Sequence, residues 1–95
     1  PNDGAIIDSL GWGYFKMGDY EKAVKYLERA AEMLPNDPVI NMHLGDAYEK
    51  VGRAKQARVQ WQRALDLGPT SQADAQALQE KLSRFATASD SDQGR

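Results

Sequence analysis

The fold is decided by a stretch that occurs twice, LGWGYFKMGDYEKAVKYLERAAEMLP at residues 10–35 and LGDAYEKVGRAKQARVQWQRALDLGP at residues 44–69. When residues 4–37 are laid over residues 38–71 without a gap, ten positions are identical. Most of the identical residues are small, apolar or turn-forming, which are the types that packing and turns constrain. The chain therefore uses one structural unit twice, with a period of 34 residues.

Helical periodicity and capping residues place two helices in the first copy. In the first helix, residues recur at steps of three and four, the period of a helix with one buried stripe, at Ile6, Ile7, Leu10, Gly11, Tyr14 and Met17. Asp3 is a good N-cap for a helix over residues 4–17, and Gly18 ends it. Asp19 caps a second helix, which stops at Pro35 because proline disfavours a helical residue before it. The first copy is thus predicted to be a helical hairpin.

The second copy repeats this arrangement, and a fifth helix follows it. Asp37 is an N-cap with Pro38 at the first helical position, and Gly52 separates the two helices of this copy. Ser71 begins a capping box before a further apolar stripe that continues to Phe85. The sequence therefore predicts an all-α fold: an α-solenoid of antiparallel helix-turn-helix repeats with five helices.

The two ends of the chain differ from the repeats. The fifth helix, residues 72–86, carries a polar face and has no partner helix, so we expect it to cap the array and to complete a domain over residues 1–86. The small polar residues of 87–95 bury nothing, and this tail is predicted to be disordered. The opening Pro1-Asn2-Asp3 matches Pro35-Asn36-Asp37, so we expect the chain to be a piece of a longer array.

Composition narrows the function classes. A net charge of -2 and a pI near 5.3 give no electrostatic footprint for duplex nucleic acid. The sequence has no run of 18 consecutive apolar residues, so no membrane insertion is expected. Without cysteine there is no disulfide framework and no thiolate metal site, which suits the cytoplasm and a bacterial periplasm equally, so the localisation stays open.

No constellation of residues predicts catalysis. His43 is the only histidine, no cysteine is present, and Ser9 has no base nearby in the sequence. The glycines at 13 and 18 have the spacing of a phosphate loop, but Asp19 follows where lysine is needed and the segment is helical. His43 lacks a second ligand four residues away. We therefore predict no enzyme activity, no cofactor and no metal site.

The repeated unit resembles the tetratricopeptide repeat. The resemblance covers residues 1–86 and departs from the family pattern at Ile7 and Asn41, where tryptophan is frequent, and at Leu27, where an aromatic residue is usual. Glycine inside a helix costs about 1 kcal/mol against alanine, so Gly11, Gly13 and Gly45 are expected to allow close approach of a neighbouring helix. The signature residues are Leu10, Gly11, Tyr14, Ala23, Ala30 and Pro35 in the first copy and Leu44, Gly45, Tyr48, Ala57, Trp61, Ala64 and Pro69 in the second.

In this family the first helix of each repeat lines a concave groove, and the resemblance implies which residues face it. These partner-binding residues are Ala5, Asp8, Trp12, Phe15 and Lys16 in the first copy, Val39, Met42, His43, Asp46, Glu49 and Lys50 in the second, and Gln76, Glu80 and Arg84 on the cap. Some family members bind the terminal carboxylate of a peptide with lysine and asparagine side chains of these helices. This chain has Asp8, Trp12 and His43 at the corresponding positions, so the resemblance does not imply that kind of ligand. The carboxylates of the groove favour a basic or apolar peptide.

Two alternatives remain open at the sequence level. Trp12 and Phe15 lie three residues apart on one helical face, where they either anchor a ligand or pack within the array. The leading functional hypothesis is a protein–protein interaction scaffold from a bacterial multi-repeat protein, binding a peptide or protein in the groove. The alternative is a self-association module that forms homo-oligomers through its exposed repeat ends.

Overall fold

The computed structural model describes residues 3–93, with side chains described as far as Phe85. Within this range the chain is an all-α helical repeat solenoid, as the sequence predicts. The helices pack in order along the chain: α1 against α2, α2 against α3, α3 against α4, and α4 against α5. Their bounds are α1 Asp3–Lys16, α2 Tyr20–Met33, α3 Pro38–Lys50, α4 Ala54–Leu67 and α5 Gln72–Gln93.

The ends of the chain differ from two expectations. Asp3 is the first residue of α1 rather than a cap outside it, and Pro1 and Asn2 lie outside the described residues. Residues 87–93 continue α5, where the sequence predicted a disordered tail. The segment contains no proline or glycine before Gly94, so no backbone signal stops the helix earlier. Gly94 and Arg95 lie outside the described residues.

The turns within each hairpin follow the sequence closely. Gly18 and Gly52 have φ values of 86° and 83°, a left-handed conformation that glycine adopts without steric cost. The Asp19 side chain accepts a hydrogen bond from the Lys22 backbone N–H, which caps α2. Asp37 accepts from the backbone N–H groups of two residues in the first turn of α3. The helices therefore begin and end at the capping and turn residues from which the sequence analysis predicted them.

Small residues bring the helices of each hairpin together. A Cβ added to Gly45 would lie 2.5 Å from the Trp61 indole, and one added to Gly11 would lie 2.9 Å from Leu27 Cγ. Both contacts are too short for any side chain, so these two glycines are required for the close approach of α3 to α4 and of α1 to α2. The same expectation was wrong for Gly13, because nothing lies within 4 Å of its Cβ position.

The buried core runs through both hairpins and reaches the cap. Ala23, Ala30, Ala57 and Ala64 are buried on the second helix of each hairpin, as their packing role predicts. The core also contains Leu27, Leu44, Ala47, Tyr48, Trp61 and Leu78. Because Leu78 belongs to α5, the fifth helix closes the core at its end of the array.

Asn41 shows how a polar residue replaces the large apolar residue that is usual at its position. Its side chain is buried, and its Nδ2 donates to the carbonyl oxygens of Pro35 and Asp37. Both carbonyls belong to the connection between α2 and α3. The amide thus has partners and ties the two repeats together, so the substitution is compatible with burial.

The apolar stripe of α1 is partly exposed. Ile6, Leu10 and Met17 are 64%, 46% and 71% exposed, whereas the residues equivalent to the first two, Ile40 and Leu44, are 2% and 3% exposed. The prediction that this whole stripe is buried was therefore wrong. The physical reason is that α2 covers the equivalent face of α3, while no described helix covers this face of α1.

Candidate partner-binding groove

Two polar contacts join the first helices of successive repeats along one surface. His43 Nδ1 on α3 lies 2.9 Å from Asp8 Oδ1 on α1, and Lys81 Nζ on α5 donates to Asp46 Oδ1 on α3 over 2.6 Å. In both pairs the partners are 35 residues apart, one residue more than the repeat. The same offset between α1, α3 and α5 shows that the three helices line one continuous surface, which we call the groove.

The contact between Asp8 and His43 is largely shielded from solvent. Each side chain is 15% exposed, and the imidazole also stacks on Trp12, with ring centroids 3.9 Å apart and planes 11° apart. Both residues were predicted to contact a partner. In the structure they hold α1 against α3, so the polar atoms that form this bond are occupied by each other.

Trp12 lies between two other rings. Its centroid is 3.9 Å from that of His43 and 4.3 Å from that of Phe15, and both partners are nearly parallel to it. Non-bonded carbon atoms stay about 3.5 Å apart, so two rings could not lie side by side over one indole face at these distances. His43 and Phe15 therefore cover opposite faces of the indole. The sequence left open whether Trp12 anchors a ligand or packs within the array. This arrangement is packing within the array.

The aromatic cluster continues toward the turn of the first hairpin. The Phe15 ring meets the Tyr20 ring edge-on, with centroids 5.2 Å apart. Lys50 Nζ lies 5.7 Å from the centroid of Tyr20, a cation–π contact between the end of α3 and the start of α2. Trp12, Phe15, Tyr20 and Lys50 thus connect the two repeats at the end of the groove where α1 and α3 terminate.

Asp46, which was predicted to face a partner, links three helices. Its Oδ1 accepts from Trp61 Nε1 on α4 over 2.9 Å and from Lys81 Nζ on α5. The Asp46 side chain is 16% exposed. The indole N–H of a buried tryptophan needs an acceptor, and Asp46 supplies it while it positions the cap. The lysine at 81 was missed by the sequence analysis, although it follows Asp46 at the same 35-residue offset as His43 follows Asp8.

The remaining groove residues are more accessible. Val39, Met42 and Glu49 on α3 are half-buried, and Ala5 on α1 is exposed. Lys16 and Lys50 are exposed at the ends of α1 and α3, and the cap presents Gln76, Glu80 and Arg84. Partner binding by these residues stays a prediction, but their positions on α1, α3 and α5 give the groove an accessible apolar and charged lining.

A further contact between the repeats lies away from the groove, and the sequence did not predict it. The Tyr48 hydroxyl donates to Glu28 Oε2 over 2.6 Å, which joins α3 to α2. Burial, and then the hydrogen bond to the Glu28 carboxylate, raise the pKa of Tyr48 well above its usual value. Arg53 Nη1 lies 3.8 Å from the same carboxylate. Tyr48 was identified only as a signature residue of the repeat.

One cleft lies outside the groove. It has a volume of about 670 Å³ and lies beside α4 and α5, lined by Lys55, Arg58, Val59, Gln62, Arg63, Asp66 and Leu82. It lies on the open side of α4, a corner that no other described helix fills. Its size follows from that open corner and does not by itself indicate a function.

Comparison with known proteins establishes the family. The family model described as tetratricopeptide repeat matches residues 14–82, which is most of the chain. This protein therefore belongs to the tetratricopeptide repeat family. The match includes α2, α3 and α4 in full and reaches into α1 and α5, so it covers the elements that form the groove and the core.

Similar proteins come from a eukaryote and a bacterium. Over 58 residues the chain is 36% identical to anaphase-promoting complex subunit CDC16 of Saccharomyces cerevisiae, a match over 54% of this chain and 7% of that protein. The tetratricopeptide repeat domain protein of Salinibacter ruber has a similar structure, with a TM-score of 0.77 and 21% identity, over 90% of this chain and 97% of that one. At this identity the structural likeness shows the fold.

None of the helices within residues 3–93 combines the length and the apolarity that crossing a membrane requires.

Proposed function

We propose that this protein is a non-enzymatic scaffold that binds a peptide or protein partner in the groove formed by α1, α3 and α5. Tetratricopeptide repeats are generally protein–protein interaction modules, and the chain belongs to that family. The observation that carries the proposal is the pair of contacts with the same 35-residue offset, from Asp8 to His43 and from Asp46 to Lys81. They hold three helices in register before any partner arrives, which lowers the ordering cost of binding.

Within this scaffold the residues predicted to contact a partner divide into two sets. Asp8, His43 and Asp46 are held by internal contacts, and Trp12 has both faces covered. We propose that these residues fix the shape of the groove. Direct partner contact then comes from the accessible residues, namely Ala5, Phe15, Lys16, Val39, Met42, Glu49 and Lys50, together with Gln76, Glu80 and Arg84 on the cap. A bacterial source also stays a prediction, because the similar proteins come from yeast and from a bacterium.

A selection from a peptide display library tests the groove with ligands of many sequences at once. The binding of peptides selected on the wild-type protein is then measured for two variants. Met42→Arg places a long charged side chain in the groove, and Gln62→Arg is a matched control at an exposed position on α4. We expect Met42→Arg to weaken binding about tenfold or more and the control to leave it unchanged. If Gln62→Arg weakens binding and Met42→Arg does not, the binding surface is on the α4 side and the proposal is wrong.

A second candidate function is self-association through the open face of α1. This face comprises Ile6, Leu10, Gly13 and Met17, and a cleft of about 290 Å³ runs along it beside Ser9 and Tyr14. In the second repeat the equivalent face of α3 is covered by α2. Since contiguous exposed apolar side chains mark interaction sites, we propose that a second copy of this chain covers the α1 face.

Light scattering over a range of protein concentrations measures the oligomeric state and tests this candidate. Two variants distinguish the ways in which two copies could associate. Leu10→Asn is expected to abolish association in every geometry that uses the α1 face. Val59→Asn removes an exposed apolar residue from α4 and weakens association only if copies join head to tail. A protein that stays monomeric at high concentration, or a dimer that Leu10→Asn leaves intact, contradicts the self-association candidate.

A further inference from the structure

Three cations occupy one register position on the three helices of the groove. Lys16 on α1, Lys50 on α3 and Arg84 on α5 are each 34 residues from the next, the length of the repeat. All three are exposed. Because α1, α3 and α5 lie side by side in register, the three side chains form a row across the groove, which we call the cationic row.

Helix electrostatics accounts for only part of the cationic row. Lys16 and Lys50 are the last residues of α1 and α3, where a cation is favoured by the negative end of the helix dipole. Arg84 has no such explanation, because α5 continues to Gln93. Helix electrostatics therefore accounts for Lys16 and Lys50, whereas Arg84 places a cation at the same register position inside a helix, where the helix end does not favour it. Ligand recognition is a role that all three exposed cations can share.

Two of the carboxylates in the groove form hydrogen bonds or ion pairs within the protein. Asp46 pairs with Lys81, and Asp8 is hydrogen-bonded to His43. Their side chains are mostly buried, so they present little negative charge to a ligand. Glu49 and Glu80 remain. Among the residues predicted to line the groove, the accessible charges are therefore the cationic row and two separated glutamates, while Asp19 and Glu21 lie beside Lys50 at the start of α2. The preference for a basic peptide that the sequence suggested no longer follows from the groove residues.

We propose that the groove recognises an acidic segment of a polypeptide, whose carboxylates pair with the cationic row. This proposal rests on the groove function given above and names the chemistry of its partner. Neighbouring packed helices are about 8–10 Å apart, and an extended chain advances about 3.3 Å per residue. A segment crossing the groove thus meets a cation about every third residue. The Tyr20 ring contacts both Lys50 and the Phe15 ring, so two aromatic side chains provide apolar contact next to the central cation.

The spacing of the charges favours a polypeptide over a nucleic acid. A phosphate backbone presents a negative charge at every nucleotide, and Glu49 and Glu80 would repel it between the cations. The chain as a whole is also acidic, with a net charge of -2. A peptide can place neutral residues opposite the two glutamates, which a phosphate backbone cannot do.

The test uses two synthetic peptides of about ten residues, a length that spans the row. One has glutamate at every third position among serines and alanines, and the other has lysine at the same positions. Binding is measured by fluorescence anisotropy at low salt, and the site is mapped by NMR chemical-shift changes in the full chain. The glutamate peptide is expected to bind, to shift residues of α1, α3 and α5, and to lose affinity as salt is raised.

Charge reversal locates the contact. Two variants are expected to weaken binding of the glutamate peptide about fivefold or more, Lys50→Glu at the centre of the row and Arg84→Glu on α5. Arg84 has no contact with Tyr20, so its variant tests the charge without the cation–π contact that Lys50 makes. Lys55→Glu on α4 changes the net charge equally and is expected to have an effect of less than about twofold. Circular dichroism confirms that each variant is folded.

Several outcomes would overturn the proposal. These are no binding of the glutamate peptide, tighter binding of the lysine peptide, tighter binding of an oligonucleotide, or equal losses in Lys50→Glu and Lys55→Glu. If the lysine peptide binds and its shifts map to α1, α3 and α5, the groove function stands and only the acidic specificity fails. If shifts for both peptides map to the α4 side, the groove function fails as well.

Discussion

The first and second repeats share their sequence register but differ in environment. Ile6 and Ile40 are the same residue at the same position, and so are Leu10 and Leu44. In the first repeat both are exposed, and in the second both are buried. The difference arises because α2 covers α3, whereas no described helix covers the equivalent face of α1. An identical residue in two repeats therefore identifies equivalent positions on the two helices. Whether that position is buried depends on the neighbouring repeat.

Two glycines at different register positions also differ in environment: Gly45 is equivalent to Gly11, and Gly13 is equivalent to Ala47. Gly45 contacts the Trp61 indole so closely that no Cβ fits, while the Cβ position of Gly13 contacts nothing within 4 Å. Both lie in the interior of the first helix of a repeat. One glycine is required by packing, and the other contributes only the flexibility that glycine brings to a helix.

A large loss of stability is expected from filling the first of these positions. Gly45→Leu should destabilise the protein by about 3 kcal/mol, because the side chain must displace Trp61 from the core. Gly13→Leu, the same substitution on α1, should cause no loss, because its Cβ position is open and leucine favours a helix more than glycine does. Urea unfolding measures both. Equal losses in the two variants would show that the two glycines have the same environment.

The two inter-repeat contacts in the groove should also differ. Asp46→Ala leaves the Trp61 indole N–H and the Lys81 ammonium without their acceptor, and we expect a loss of about 1–3 kcal/mol. Asp8→Ala removes one hydrogen bond while the stack of His43 on Trp12 remains, so a loss of about 0.5–1.5 kcal/mol is expected. Thermal or urea unfolding of both variants provides the comparison. A larger loss for Asp8→Ala would mean that the junction between α1 and α3 is the more tightly coupled one.

A smaller effect of opposite sign is expected from Gly13→Ala. The substitution removes the unfavourable helix propensity of glycine and creates no clash, so it should stabilise the protein by about 0.5–1 kcal/mol. Differential scanning calorimetry should show a higher Tm. A lower Tm would indicate that another element approaches α1 at Gly13, which would also identify the surface that covers this face.

The smallest effect at neutral pH is expected from Glu28→Gln, and its consequence appears in alkali. The folded-state pKa of Tyr48 is raised above its unfolded value of about 10. Its contribution to stability is therefore present below that pH and is lost as the pH rises through the folded-state pKa. Ultraviolet titration should show one tyrosine ionising after the others in wild type, and ionising at lower pH in Glu28→Gln. An unchanged titration in the variant would remove Glu28 as a cause of the shift.

Much of the fold could be predicted from the sequence, because its determinants are local. Asp19 and Asp37 act as caps, and Gly18 and Gly52 take the left-handed conformation at the turns. The groove was harder to predict in detail. The helices that form it could be predicted from the repeat. The hydrogen bonds that Asp46 accepts could not, because they come from Trp61 and Lys81, which lie far away in sequence.

The errors share a physical cause. The exposure of Leu10 and of Gly13 depends on what lies against α1, and periodicity within a helix contains no information about that neighbour. The role of Trp12 could not be decided for the same reason, since its second stacking partner, His43, belongs to the next repeat. Contacts within a repeat were predictable, and contacts between repeats required the structure.

The paired substitution of one residue type at one register position tests this account most directly. Ile40→Ala and Ile6→Ala remove the same atoms from equivalent places on α3 and α1. If α2 covers the first site and the second is open, urea unfolding should show a loss of about 2–5 kcal/mol for Ile40→Ala and less than about 0.5 kcal/mol for Ile6→Ala. Losses of similar size in the two variants would contradict the claim that the two repeats are one unit in two environments.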